Sequence, residues 1–279
     1  MSNLVRRKAI DRLMTALTAA CAAFAVLALF IILGYIVAGG LSHINIGFFI
    51  NDPKPVGEEN IGIANAIVGT IILVGLGTLF GMPVGILAGV YLAEFGSNRF
   101  GQALRFLIDT LTGVPSIVVG VFVWTMMVKP MQHFSAWAGG VALGIMMMPI
   151  VARTTEEMIR LVPQSLREAG LALGAPRWRV TVGVVLRTAM GGVATGGMLA
   201  IARIAGETAP LLFTALSLNY LSTNLNGQMA SLTYQIYYYA GSPYEEWHQL
   251  AWAATLVLVA MILILNIAVR VITRNRYAQ

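Results

Sequence analysis

The chain has 279 residues, of which 58% are hydrophobic and only 11% are charged, and its mean hydropathy is +0.78. A soluble domain carries about 25% charged residues, so this chain lacks the polar groups that a water-exposed surface requires. Its formal net charge is +6, but the basic residues lie in short clusters between long apolar runs, which favours a membrane protein over a nucleic-acid-binding one.

Six long stretches of low charge follow one another along the chain, and each is long enough to cross a bilayer as a helix. The first contains Cys21, the only cysteine, so the chain forms no intrachain disulfide and no cysteine-based metal cage. These stretches predict an all-α, polytopic membrane protein. The predicted spans are Leu13–Val37, Asn65–Leu92, Thr110–Val128, Phe134–Ala152, Gly191–Leu216 and Leu250–Val269.

The basic residues outside the spans identify the cytoplasmic side. The only basic residues on one side of this topology are Lys54 and Lys129. The other side carries Arg6, Arg7, Lys8, Arg12, Arg99, Arg105, Arg153, Arg160, Arg167, Arg177, Arg179, Arg187, Arg270, Arg274 and Arg276. Because cytoplasmic loops carry an excess of lysine and arginine, we expect both termini to be cytoplasmic.

The longest cytoplasmic connection, from Arg153 to Arg187, has the pattern of an ordered segment. Ser165 and Glu168 fit a capping box, in which each side chain satisfies a backbone amide of the first helical turn. Gly174 suits a left-handed C-terminal cap. A helix this short is unstable alone in water, so we expect it to pack either on the protein's own helix ends or on a partner.

This connection resembles the EAA loop of ABC importer permeases, although Gly170 stands where the signature has a second alanine. In that family the loop supplies a coupling helix, which fits a groove on the cytoplasmic ATPase. The resemblance therefore implies an ATPase-coupling role. The residues concerned are Ser165, Glu168, Ala169, Gly170, Gly174 and Ala175.

A charged pair interrupts the fifth predicted span: Arg203 lies about halfway along it, and Glu207 follows one turn later. A charge at the bilayer centre costs about 2.5–3.5 kcal/mol on insertion scales. The arginine-first order is the weaker one for an intrahelical pair, and a purely structural pair gains little over apolar packing. We therefore favour a role in a transport path over a structural ion pair.

The chemistry of this pair points to a particular anion. The guanidinium of Arg203 presents a fork of donors that matches the oxygens of phosphate or sulfate. The carboxylate of Glu207 only accepts hydrogen bonds, so it repels fully ionised sulfate, whereas hydrogen phosphate has a proton to donate to it. The pair is thus suited to select phosphate over sulfate.

Several longer segments resemble the permease subunits of bacterial phosphate ABC importers, members of the binding-protein-dependent transport family. They are Leu111–Val118, Pro149–Glu157, Leu161–Trp178, Ala202–Leu212 and Ser242–His248. The resemblance implies a type I importer (MetI-like) fold, as a single permease domain over 1–279 with a core at 61–272 and a coupling loop at 153–187. It also implies that Arg203 and Glu207 line the translocation path. Arg153 either faces this path too or is an ordinary basic flank of the fourth span.

The resemblance further implies that other chains complete the transporter. The sequence contains no phosphate-binding G-x-x-x-x-G-K-[ST] loop, so we expect a non-catalytic subunit with no cofactor of its own. ATP and magnesium would be bound by an ATPase dimer. A homologous second permease and an external phosphate-binding protein are the other implied partners, at the bacterial inner membrane.

Two other functions fit parts of the pattern. A permease for another oxyanion would need the same arginine, and a secondary transporter or channel would need no ATPase. Metal binding is disfavoured, because the three histidines, His43, His133 and His248, are far apart in the sequence. Ser116 and Ser165 lack the histidine and aspartate setting of a nucleophile, so a membrane enzyme is disfavoured as well.

Overall fold

A computed structural model describes residues 2–58 and 61–277, and the regular secondary structure of these residues is helical. The helices are α1 Ser2–Gly40, α2 Ile46–Ile50, α3 Ala64–Glu94, α4 Arg99–Gly113, α5 Ser116–Val123, α6 Lys129–Met131, α7 Ala136–Arg160, α8 Gln164–Ala172, α9 Arg177–Val180, α10 Leu186–Ala205, α11 Ala209–Thr214, α12 Leu232–Ala240 and α13 Glu245–Tyr277. The side chains of Arg274 and Arg276, predicted to be cytoplasmic, lie outside the described ones. The predicted all-α fold is confirmed.

Five helical segments in the described part of the chain are long and apolar enough to cross a membrane, and they correspond to five of the six predicted spans. The third predicted span differs, because it is a pair of helical segments, Arg99–Gly113 and Ser116–Met131, that meet at 104°. Pro115 explains the bend: it has no amide hydrogen to donate, and it disfavours helical backbone at the residue before it. Accordingly Val114 is extended, with φ −70° and ψ 129°.

The fifth predicted span, Gly191–Leu216, is also wrong in its boundaries. The helical segment begins earlier, at Arg177, and passes through a π-helical turn into α10, which ends at Ala205. A second short helix, α11, follows with Pro210 in its first turn. Proline is tolerated there but not inside a continuing helix, so the chain breaks between α10 and α11.

The fourth span continues past Ala152 as far as Arg160. Arg153 therefore lies inside α7, and the connection between α7 and α9 is shorter than the predicted Arg153–Arg187. The helix extends because residues 153–160 continue to pack on the protein: Thr155 and Ile159 are fully buried.

Helices α3 and α7 pack almost backbone to backbone. Glycines recur every fourth residue along α3, at positions 77, 81, 85 and 89. A Cβ atom at Gly81 would lie 2.7 Å from the carbonyl oxygen of Gly144, and one at Gly89 would lie 2.6 Å from that of Ala152. Small residues permit such close helix contacts in membranes, so α3 and α7 form a tight unit, here called the α3–α7 pair.

Candidate functional site

Arg203 lies in the last turn of α10, and its side chain is 58% exposed. It shares a cleft with Pro149 and Ile150, which lie near the middle of α7. The arginine therefore lies level with the middle of α7, while its own helix ends two residues later, at Ala205.

Glu207 lies in the break between α10 and α11, and its Oε1 atom is 4.0 Å from Nε of Arg203. α10 ends at Ala205, so Glu207 lies past the helix and not on its face as predicted. The turn that follows, in which the amide of Glu207 donates to the carbonyl of Ile204 at 3.2 Å, keeps the two side chains close. Thr233 donates a hydrogen bond from its hydroxyl to the backbone carbonyl of Glu207, at 3.0 Å. At 4.0 Å the arginine–glutamate contact is longer than a hydrogen bond, so the guanidinium keeps donors for another acceptor.

Arg153 lies on α7 one helical turn beyond Pro149 and Ile150, toward the predicted cytoplasmic end. Residues three and four positions apart share a helix face, so Arg153 continues the face that carries the Arg203 cleft. Its side chain is 50% exposed, and its Nε donates to Glu157 at 3.1 Å. The two arginines thus follow one another along one side of α7.

Asp109, on α4, is a neighbour of this site that the sequence analysis missed. Its Oδ1 atom lies 3.9 Å from a terminal guanidinium nitrogen of Arg153, and both side chains are at least half exposed. The sequence shows an acidic residue directly before a long apolar stretch, but it does not show which residue Asp109 contacts. The carboxylate of Asp109 is therefore an acceptor that competes with any bound anion for the guanidinium of Arg153.

A second polar cluster joins α4 to α7 on the predicted cytoplasmic side. The side chain of Glu156 is 3% exposed, and its Oε1 atom accepts hydrogen bonds from Arg105, at 2.8 Å, and from Arg160. Arg105 also donates to the backbone carbonyls of Leu92 and Gly96 at the end of α3. This network holds α3, α4 and α7 together.

The predicted short helix in the EAA-like loop is confirmed as α8, but its predicted cap is wrong. Pro163 is the N-cap residue, and no side chain caps this end. Because Pro163 has a fixed φ and starts the helix two residues before Ser165, that serine lies inside the first turn and not at the cap. The predicted left-handed backbone at Gly174 is confirmed, with φ +78°.

Helix α8 has an open face and an attached face. None of its nine residues, all of which are described, is buried, and Glu168 and Ala169 are exposed. On the attached face, a Cβ atom at Gly170 would lie 3.0 Å from Val180, which explains why glycine replaces the alanine of the signature. Leu173, just past the helix, is 88% exposed. The loop thus packs on its own protein and still presents a surface to a partner.

Aromatic residues cluster around Trp247 at the opposite, predicted external end. The ring centroids of Tyr238, Tyr239 and Tyr244 lie 5.1–5.7 Å from that of Trp247. Beside them lies a cavity of about 510 Å³, which Lys54 also lines. Burial raises the pKa of the Tyr239 phenol above its ordinary value, so this group is neutral at physiological pH. Such a belt is typical of a membrane–water interface.

Residues 81–276 match the family of binding-protein-dependent transport system inner membrane components. The chain therefore belongs to this family of transport permeases. Its relatives include the phosphate transport system permease protein PstA of Haemophilus influenzae, 46% identical over 88% of this chain and 87% of that protein. PstA of Yersinia pestis is 45% identical over 95% of this chain and 90% of that protein. The resemblance inferred from the sequence motifs is confirmed.

Solved structures show the same fold at low sequence identity. A chain of a bacterial alginate ABC transporter is 15% identical, with a TM-score of 0.70 over 96% of both chains. A chain of the MetNI methionine ABC transporter is 19% identical, with a TM-score of 0.59 over 75% of this chain and 91% of that one. The predicted MetI-like permease fold is confirmed.

Proposed function

We propose that this chain is the membrane-spanning permease subunit of an ATP-driven phosphate importer and forms half of the translocation path. The observation that carries this proposal is the half-exposed Arg203, held 4.0 Å from Glu207 at the depth of the middle of α7. The phosphate permeases among its relatives support the choice of substrate.

The geometry suggests how hydrogen phosphate binds. Its oxygens accept from the free donors of Arg203, while its proton is donated to the carboxylate of Glu207. Sulfate has no proton to donate and meets an unpaired negative charge there, which disfavours it. Arg153 provides the next cationic position, one turn nearer the cytoplasm, where the ion displaces Asp109 from the guanidinium.

Helix α8 is the docking element for a cytoplasmic ATPase. The open face with Glu168 and Ala169 supports this role. Three exposed apolar side chains, Leu166, Leu171 and Leu173, lie on or just past the same helix, and grouped exposed apolar residues mark interaction surfaces. Ser165, on the first turn, and Gly174, after the helix, are exposed as well, whereas Ala175 is half-buried against the protein's own apolar cluster around Ile159 and Val180 and supports the loop from beneath. The permease is not itself catalytic: ATP and magnesium bind the ATPase, and this chain needs no cofactor.

The proposed assembly contains four kinds of chain. The homologous permease PstC forms the other half of the path, a PstB dimer hydrolyses ATP, and PstS delivers phosphate from outside. The chain is a multi-pass protein of the bacterial inner membrane with both termini in the cytoplasm, as the distribution of basic residues supports. Residues 1–279 make up one permease domain, with its core at 61–272.

The test is phosphate-stimulated ATP hydrolysis and phosphate uptake in proteoliposomes that contain this chain and its partners. Arg203→Gln should abolish uptake while the complex remains assembled, because glutamine keeps much of the length but not the charge. The matched control is Arg187→Gln, an exposed arginine at the start of the same helix, which should transport normally.

Three outcomes would change the assignment. Loss of the assembled complex in Arg203→Gln would indicate a structural role for the arginine. Stimulation by sulfate, molybdate or a phosphonate but not by phosphate would favour a permease for another oxyanion. Transport without any coupled ATPase would favour a secondary transporter.

A further inference from the structure

Arg167 points inward, unlike Glu168, the other charged residue of α8. Its side chain is 16% exposed, although none of its helix is buried. Its guanidinium contacts Oε1 of Glu94, with Nε at 3.0 Å and a terminal nitrogen at 2.9 Å. Glu94, itself 14% exposed, is the last residue of α3.

The same guanidinium also reaches α7. One terminal nitrogen donates to the carbonyl of Ile159 at 2.8 Å, and the other donates to the carbonyl of Val162. Carbonyl groups in the last turn of a helix have no intrahelical donor, and a cation is favourable at the negative end of the helix dipole. Arg167 therefore binds the C-terminal ends of both α3 and α7 with one side chain.

These two helices are the ones that the glycine contacts hold together. A displacement of the C-terminal ends of α3 and α7 moves the α3–α7 pair as one unit. Their close packing leaves no room for one helix to slide independently of the other. Arg153 lies on α7 about two turns before Ile159. A displacement of α8 would thus reach a residue of the translocation path through Arg167.

We infer that Arg167 is a positioning residue that transmits movement of α8 to the α3–α7 pair and so couples the ATPase to the path at Arg153. This inference rests on the proposed docking of α8 to an ATPase. The other attachment described above, between Gly170 and Val180, is a van der Waals contact on the α9–α10 side. The hydrogen bonds of Arg167 have a fixed direction and reach two helix ends, so they transmit a displacement of α8 better than this van der Waals contact does.

The test compares Arg167→Gln with wild type in the full complex, reconstituted in proteoliposomes with its binding protein. Glutamine cannot span the three acceptors. We expect the variant to assemble and to hydrolyse ATP at the basal rate, while it loses most of the phosphate imported per ATP. Arg99→Gln, at an exposed arginine outside α8, is the matched control and should keep the wild-type ratio.

A chemical link provides the second test. In a Cys21→Ser background, Glu94→Cys and Arg167→Cys are combined and joined by a bifunctional thiol reagent that spans the length of the lost ion pair. We expect the linked protein to regain transport per ATP and the unlinked one to stay uncoupled. If Arg167 only stabilised the fold, the unlinked double-cysteine protein would have a lowered unfolding midpoint, whereas a positioning role leaves that midpoint near that of the wild type.

Three results would overturn the inference: a wild-type ratio in Arg167→Gln, failure of that variant to assemble, or no recovery in the linked protein. The proposed function fails separately, because then the wild-type complex itself would show no phosphate-dependent ATP hydrolysis.

Discussion

Replacing Glu207 by glutamine removes the negative charge beside Arg203 and keeps the size of the side chain. Glu207 is 19% exposed, so water screens this charge only in part. A hydrogen bond to a charged group contributes about 1.5–3 kcal/mol, and each 1.4 kcal/mol corresponds to about tenfold in binding. Loss of the bond from hydrogen phosphate to the carboxylate should therefore reduce the preference for phosphate over sulfate by about 10- to 150-fold.

The assay measures how strongly sulfate and unlabelled phosphate each compete with labelled phosphate during uptake by the reconstituted complex. One wild-type preparation of the binding protein is used throughout. A change in the ratio of the two inhibition constants therefore reports a change in the selectivity of the permease. Glu207→Asp, which keeps the charge, is the control and should preserve most of the preference. An unchanged ratio in Glu207→Gln would refute the reasoning and place selectivity in the binding protein alone.

Three further predictions test the docking helix and the packing. Glu168→Lys reverses a charge on the open face of α8 and should uncouple ATP hydrolysis from uptake; normal transport per ATP would rule out this docking face. Glu156→Ala leaves Arg105 without its buried partner and should lower the free energy of unfolding in detergent by about 3–5 kcal/mol. Surface substitutions change stability by about 0.5 kcal/mol or less, so a change this small would contradict the network. Gly81→Leu should cost about 1–3 kcal/mol or more through overpacking of α7, whereas an unaffected unfolding midpoint would mean that the α3–α7 contact yields easily.

Local physical constraints explain why much of the fold was predictable. A backbone inside lipid must satisfy its own hydrogen bonds, so long apolar stretches indicate helices without reference to the rest of the molecule. The left-handed turn at Gly174 is likewise a property of a few neighbouring residues. The prediction that Arg203 and Glu207 have a functional role rests on the cost of a charge in the bilayer, which is independent of tertiary contacts.

Local pattern was insufficient where two signals competed. Ser165 has the residue type and spacing of a cap, but Pro163 begins the helix earlier and removes that role. The fifth span reads as one apolar stretch, yet the chain breaks between α10 and α11. In both places a proline outweighs the hydrophobic or capping pattern, because it changes which backbone groups are able to form hydrogen bonds.

The partners of the charged residues came only from the packing of the helices. Arg167 and Glu94 are 73 residues apart in the chain, and Arg105 and Glu156 are 51 apart. The sequence shows that each residue carries a charge, but it does not show which helix ends meet. Which helix ends meet depends on the close approach of α3 and α7. This approach brings the C-terminal ends of both helices next to α8, where Arg167 contacts both.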